Sequence, residues 1–167
     1  NYLKKDNPDL KILISIGGWS WSENFSDAVL NESSRKKFAI TSAEIVETYN
    51  LDGVDIDWEY PGMKGEDNVF RTEDKENFTR MFKAIREELD KLSSKTDKSY
   101  QLTTALPCFP RLFEVTDMGK AAEYLDYVNI MAYDYYTSGD SAGHHSNLFP
   151  SESYDKEDSG DKAYNLY

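Results

Sequence analysis

The sequence predicts an α/β fold assembled from parallel strand–helix units, on three observations. Four short strand-like runs recur along the 167 residues, at 11–17, 52–59, 102–106 and 126–134. Segments with helical spacing of apolar residues lie between them. Glycine, acidic and tyrosine residues gather where the runs end, at Gly17-Gly18-Trp19, at Asp57 and Glu59, and at Tyr133-Asp134. Strands that alternate with helices call for parallel βαβ units with right-handed crossovers. Such folds place their sites at the C-terminal ends of the strands. A doubly wound sheet and a TIM barrel both satisfy this pattern, and periodicity does not choose between them.

Each element has its own justification. Lys11 to Gly17 is almost wholly apolar and follows the turn signal Asn7-Pro8-Asp9, which suits a parallel strand covered on both faces. Ser33 and Ser34 are candidate caps for a helix reaching about Tyr49, with Phe38, Ile45 and Tyr49 on one face and Asn50 as C-cap. Residues 62–71 read as a loop. Thr72-Glu73-Asp74 offers a cap and an acidic first turn for a helix whose apolar stripe is Phe78, Met81, Phe82, Ile85, Leu89 and Leu92. Leu102 to Leu106 is a strand stopped by Pro107, Asp117 to Tyr124 a short helix, and Asp126 to Asp134 a strand. Residues 135–162, rich in Ser, Gly, Asp and Tyr, read as a long loop.

Composition narrows the function classes. Formal net charge is −12, which excludes a typical nucleic-acid binder, because that binding depends on Lys and Arg neutralising phosphates. The same charge disfavours an anionic membrane surface, and no apolar run approaches the roughly 20 residues of a membrane span. No signal peptide is visible at the start. The single cysteine, Cys108, precludes an internal disulfide and reads as a small apolar residue at a strand end.

The run Asp52-Gly53-Val54-Asp55-Ile56-Asp57-Trp58-Glu59-Tyr60-Pro61 is the most informative. Read as a strand, it puts Asp55, Asp57 and Glu59 on one face and Val54, Ile56 and Trp58 on the other. Unpaired buried acids are costly, so three in register point to proton chemistry or cation binding. A calcium loop would place Tyr60 where such a loop requires glycine, and the β-branched alternates favour an extended chain. Residues i and i+2 on a strand lie about 6.5–7 Å apart. Two unit charges at that distance repel by roughly 2.5 kcal/mol at an effective dielectric of about 20, nearly two pKa units. At least one acid is therefore expected to hold a proton, as a general acid must. Glu59, nearest the open end and with the longer reach, is the expected donor. The pair His144-His145 invites a metal reading, but no acid or cysteine stands at helical ligand spacing.

Asp52 to Pro61 resembles, without departure, the DxxDxDxE signature of family 18 glycoside hydrolases, the chitinase family. Ser15-Ile16-Gly17-Gly18 is similar to the SxGG motif of that family's third barrel strand, and Met131-Ala132-Tyr133-Asp134 to the MxYD motif of its sixth. The resemblance covers residues from about 1 to 150. It implies a (β/α)8 barrel, of which this chain supplies strands resembling the third to sixth. A complete barrel typically needs about 250 residues. The expected domain is therefore a partial catalytic barrel over 1–167, with a loop-rich segment at 135–162.

The resemblance also implies chemistry: cleavage of β-1,4 linkages in N-acetylglucosamine polymers by a retaining, substrate-assisted route with no cofactor and no metal. In it Glu59 is the acid, Asp57 orients the substrate acetamido group, Asp55 shares a proton or hydrogen bond with Asp57, and Tyr133 points its hydroxyl to the acetamido group. Asp134 contacts sugar hydroxyls, Met131 lines the pocket floor and Trp19 stacks on a sugar ring. The implied partner is chitin or another N-acetylglucosamine-containing glycan, and the implied location is secreted or extracytoplasmic. Endo-β-N-acetylglucosaminidase action on N-glycans and a chitinase-like glycan-binding protein without turnover carry the same motifs, although such lectins usually lack the acid.

Overall fold

A computed structural model of the chain describes residues 2–108, 110–152 and 158–167. Four parallel strands form one sheet: β1 (Leu13–Gly17), β2 (Gly53–Asp57), β3 (Gln101–Pro107) and β4 (Tyr127–Met131). Their order in space is their order in sequence. A doubly wound sheet reverses strand order partway across, whereas every crossover here steps the same way. That decides for a barrel wall, with helices outside and a polar lining inside. Ser15, Asp55, Thr103 and Asn129, one from each strand, meet through hydrogen bonds on the inner face.

The helices are α1 (Phe25–Ala28), α2 (Glu32–Tyr49), α3 (Asp74–Thr96), α4 (Leu112–Val115), α5 (Met118–Ala121) and α6 (Gly160–Tyr164). The core lies between the sheet and α2 and α3. Val54, Ile56 and Trp58, the outward alternates, are buried. Trp58 stacks on Phe25 at 5.3 Å between ring centres, and Phe78 lies tilted against it at 6.1 Å. The whole predicted stripe of α3, from Phe78 to Leu92, is buried.

Several boundaries differ from expectation. α2 is capped by Asn31 rather than Ser33 or Ser34, and Ser34 closes the capping box from the third helical position. The buried row of α2 runs through Ala39, Ala43 and Val46, one position round from the expected face. Small side chains let the helix lie close, so Phe38 moves to the flank, edge-on to Phe25, and Tyr49 in the last turn is exposed. The acidic strand is shorter than 52–59 and stops at Asp57; β4 stops at Met131 rather than Asp134. The short helix expected over 117–124 is α5 followed by a 3-10 turn at Ala122–Tyr124, with the side chain of Asp117 as its cap. Within the expected loop at 135–162, residues 135–152 and 158–159 carry no helix or strand, α6 begins at Gly160, and 153–157 lie outside the described residues.

The loop expected at 62–71 is present and runs wider, over 58–73, because β2 ends at Asp57 and α3 begins at Asp74; it is anchored from below. Its cap is not Thr72. Asp74, fully buried at the start of α3, takes the loop amides instead: Arg71 N–H at 2.8 Å and Gly62 N–H at 3.1 Å on one oxygen, and the Ser26 hydroxyl at 2.5 Å on the other. Arg71 in turn bonds Ser26 and pairs with Asp27. This clamp sets the loop that leaves the end of β2.

Candidate active site

Where β1 ends, the chain must turn against β2. Gly17 (φ 114°) and Gly18 (φ 95°) take a backbone conformation closed to most residues. A Cβ on Gly17 would stand 2.1 Å from the Asp57 carbonyl oxygen, so only glycine allows the Gly18 N–H to reach that oxygen at 2.7 Å. The turn then brings Trp19 over the strand ends, half exposed and edge-on to Tyr60 at 6.3 Å. Trp21 points to solvent, 83% exposed.

The three acids occupy three different environments rather than one continuous strand face. Asp55 is held by neutral donors from the other three strands: Ser15 hydroxyl at 2.8 Å on one oxygen, Thr103 hydroxyl at 2.6 Å and Asn129 amide at 3.3 Å on the other. Its oxygens are engaged across the sheet, and its charge acts on Asp57 two residues on. Asp57 closes β2, and its buried Oδ1 finds no hydrogen-bond partner among the described residues. Burial first, then the charges of Glu59 and Asp55, push its pKa up to about 6. Glu59 lies beyond the strand, before a cis peptide bond to Tyr60. Burial raises its pKa, the Tyr60 hydroxyl bond lowers it, and the Asp134 charge raises it. The same burial and the adjacent carboxylate hold the Tyr60 hydroxyl protonated well above its usual range.

Met131 ends β4, and Tyr133 and Asp134 follow in the turn beyond, Asp134 with a left-handed backbone (φ 59°). The following loop folds back: the Tyr135 N–H donates to the His145 carbonyl at 3.1 Å, the His145 ring stacks on Tyr133 at 6.3 Å and 13°, and its Nε2 stands 3.4 Å from Asp134. His145 thus buttresses the turn. Among the described residues, no group of three or more His, Cys, Asp or Glu is placed to hold a metal.

These pieces enclose a cavity of about 480 Å³ at the C-terminal ends of the strands. Six of the seven predicted site residues line it: Trp19, Asp57, Glu59, Met131, Tyr133 and Asp134. Asp55 is not among its lining residues and instead supports the site from within the sheet. The cavity also takes in Tyr60, Pro107 and Thr137, to which sequence reasoning assigned no role. Tyr60 and Pro107 stood next to recognised strand ends and could have been found from that position. Thr137 lies in an irregular segment with no pattern to read. Asp52, outside the cavity, ties the start of β2 to Lys4 and to the Ile12 N–H.

The chain's similarities agree with this geometry. Residues 1–167 match the sequence profile of glycosyl hydrolases family 18, extending past the expected end of the resemblance near 150. Chitinase A1 of Niallia circulans is 43% identical over 136 residues, covering 81% of this chain and 20% of that protein. Chitotriosidase-1 of mouse is 35% identical, over 89% of this chain and 32% of its own length. Among solved structures, chitinase ChiA74 from Bacillus thuringiensis superposes with a TM-score of 0.95 at 36% identity, over 99% of this chain and 27% of that one. An Ostrinia furnacalis group IV chitinase in complex with allosamidin does so at 0.85 and 33%, over 98% and 44%. The chain spans between about a fifth and a third of the length of the curated relatives it matches.

Proposed function

The chain belongs to glycosyl hydrolases family 18, and from that premise we propose that it carries the acid-bearing wall of a chitinase-type glycosidase that cleaves β-1,4 linkages between N-acetylglucosamine units. One observation supports this above the others. Asp57 and Glu59 leave the same strand end, line the same cavity, and both have raised pKa values. A retaining glycosidase with its own nucleophile places its two carboxyls on opposite sides of the scissile bond. Two acids from one strand end approach from one side, which suits attack by the substrate itself.

In this reading Glu59 donates its proton to the glycosidic oxygen as the bond to the anomeric carbon breaks. The acetamido oxygen attacks that carbon and gives a cyclic oxazolinium ion. Asp57 accepts a hydrogen bond from the acetamido N–H and stabilises the positive charge. Tyr133 orients the acetamido oxygen from the opposite side of the cavity, Asp134 and Trp19 hold the flanking sugar, and Met131 forms the floor. Water then adds to the anomeric carbon, giving a proton to Glu59, and configuration is retained. Such a polymer is too large to enter a cell, so a secreted or extracytoplasmic location fits the substrate.

The test is Glu59→Gln at full length, assayed on N-acetylglucosamine oligomers and on N-glycans. Turnover is expected to fall by at least about 10²–10⁴-fold, the usual worth of general acid catalysis, with oligomer affinity retained. An unchanged rate excludes Glu59 as the acid. Wild-type binding without hydrolysis identifies a glycan-binding protein, and preference for N-glycans identifies the endo-β-N-acetylglucosaminidase variant.

A further inference from the structure

The sheet stops holding the chain at Asp57, yet the acid stands two residues further on. The ladder between β1 and β2 ends with Gly17 opposite Asp57. Beyond it, a side chain takes up the backbone N–H of Glu59. Ser22, fully buried in the turn after β1, accepts the Glu59 N–H at 2.9 Å. Its own hydroxyl proton is directed at the carbonyls of Gly18 at 2.8 Å and Asp57 at 3.1 Å. A hydroxyl has one proton to give and lone pairs to receive. Ser22 uses both capacities, and so joins the glycine turn, the last residue of β2 and the acid in a single bridge.

We propose that Ser22 is a positioning residue for Glu59, fixing the backbone from which the acid reaches the leaving-group oxygen. The inference rests on the reading of Glu59 as general acid. Its physical basis is that displacements on the order of 1 Å at a reacting group can cost about 10²-fold in rate. Removal of the hydroxyl leaves a buried N–H unpaired beside the acid, and the local chain shifts to recover a partner. Ser22 itself does not line the cavity.

A leaving-group comparison separates this role from a general structural one. In the full-length protein, kcat/KM is measured for Ser22→Ala, Ser22→Thr and Glu59→Gln on two substrates. One is an N-acetylglucosamine oligomer, whose leaving group needs a proton. The other is the 2,4-dinitrophenyl glycoside of the corresponding disaccharide, whose leaving group departs without one. Ser22→Ala is expected to lose on the order of tenfold on the oligomer, about 1.4 kcal/mol, and under about threefold on the dinitrophenyl glycoside. Ser22→Thr, which keeps the hydroxyl, restores the wild-type ratio. Equal losses on both substrates, or no loss, overturn the proposal. If Ser22→Ala fails to fold, Ser22→Cys, with a weaker hydrogen-bonding group of similar shape, is held to the same selectivity. Glu59→Gln distinguishes the two failures. If it is selectively slow on the oligomer while the Ser22 variants are not selective, Ser22 alone is wrongly assigned. If it is as active as wild type on the oligomer, the acid assignment fails and takes this inference with it.

Discussion

Glu59 is subject to opposing influences on its proton, and they can be separated by mutation. Burial and the Asp134 carboxylate raise its pKa, while the hydrogen bond from Tyr60 lowers it. A general acid works while protonated, so activity is present below its pKa and is lost as pH rises through it. Tyr60→Phe removes that lowering influence, and with Glu59 as the proposed acid the alkaline limb of kcat/KM is expected to move to higher pH. A pH profile of that variant checks this, and a shift to lower pH contradicts the assigned roles. The residue scale is also where sequence reasoning was most and least complete. The alternation in Asp55-Ile56-Asp57-Trp58-Glu59 exposed the acids and the packing role of Trp58 together, because a strand's period is a local property. Ser22 carried no such mark. A serine in a turn has no pattern of its own, and its importance comes from a backbone amide 37 residues away.

At the scale of elements, α3 is the clearest case of a helix whose packing was readable in advance. Its apolar stripe recurs every three or four residues, and the structure buries every member of it. Phe78 is the point where this helix meets the site strand: it is fully buried, contacts Trp58 and packs edge-on against Phe82 at 4.8 Å. Phe78→Ala is expected to destabilise the fold by about 3–5 kcal/mol, measured by denaturant unfolding of the full-length protein. A loss below about 1 kcal/mol would mean the core can close over the gap. α2 shows the opposite case. Its large apolar residues marked one face and its small ones marked another, and the small ones won because close approach to α3 and the sheet requires them. Helix ends were the least legible. Asn31 took over from the expected serines, and α3 starts with no side-chain cap while Asp74 holds the loop before it, since which polar side chain finds the free amides depends on how the preceding loop arrives.

For the whole molecule, charge and topology have separable consequences. Net charge of −12 makes a polyanion an unfavourable partner, while a neutral glycan feels little long-range field. Turnover of N-acetylglucosamine oligomers is therefore expected to change by less than about twofold between low salt and about 0.5 M salt. A steep salt dependence would point to a charged substrate instead. Topology decides where the site lies. Four parallel strands keep all their C-terminal ends on one edge, and their sequential order sets them side by side, so the turns after β1, β2 and β4 converge on one cavity. In a sheet whose order reversed partway, a crevice at the switch point would collect fewer of them.

By itself the sequence determined the parallel α/β class, the two faces of β2, the packed stripe of α3 and six of the residues around the cavity, since each follows from spacing or from a motif read along the chain. Tertiary structure alone decided the rest. Strand order, which periodicity left open and the motif resemblance implied, is a property of the crossovers and not of any strand. The engagement of Asp55 by Ser15, Thr103 and Asn129 needs four strands side by side. The perturbed titration of Asp57 needs burial, which has no local signature. Above all, β2 ends before Glu59, so the three carboxylates do not form one continuous row. The Glu59 N–H is taken up by a buried hydroxyl from the turn after β1, a contact that exists only once the chain has folded.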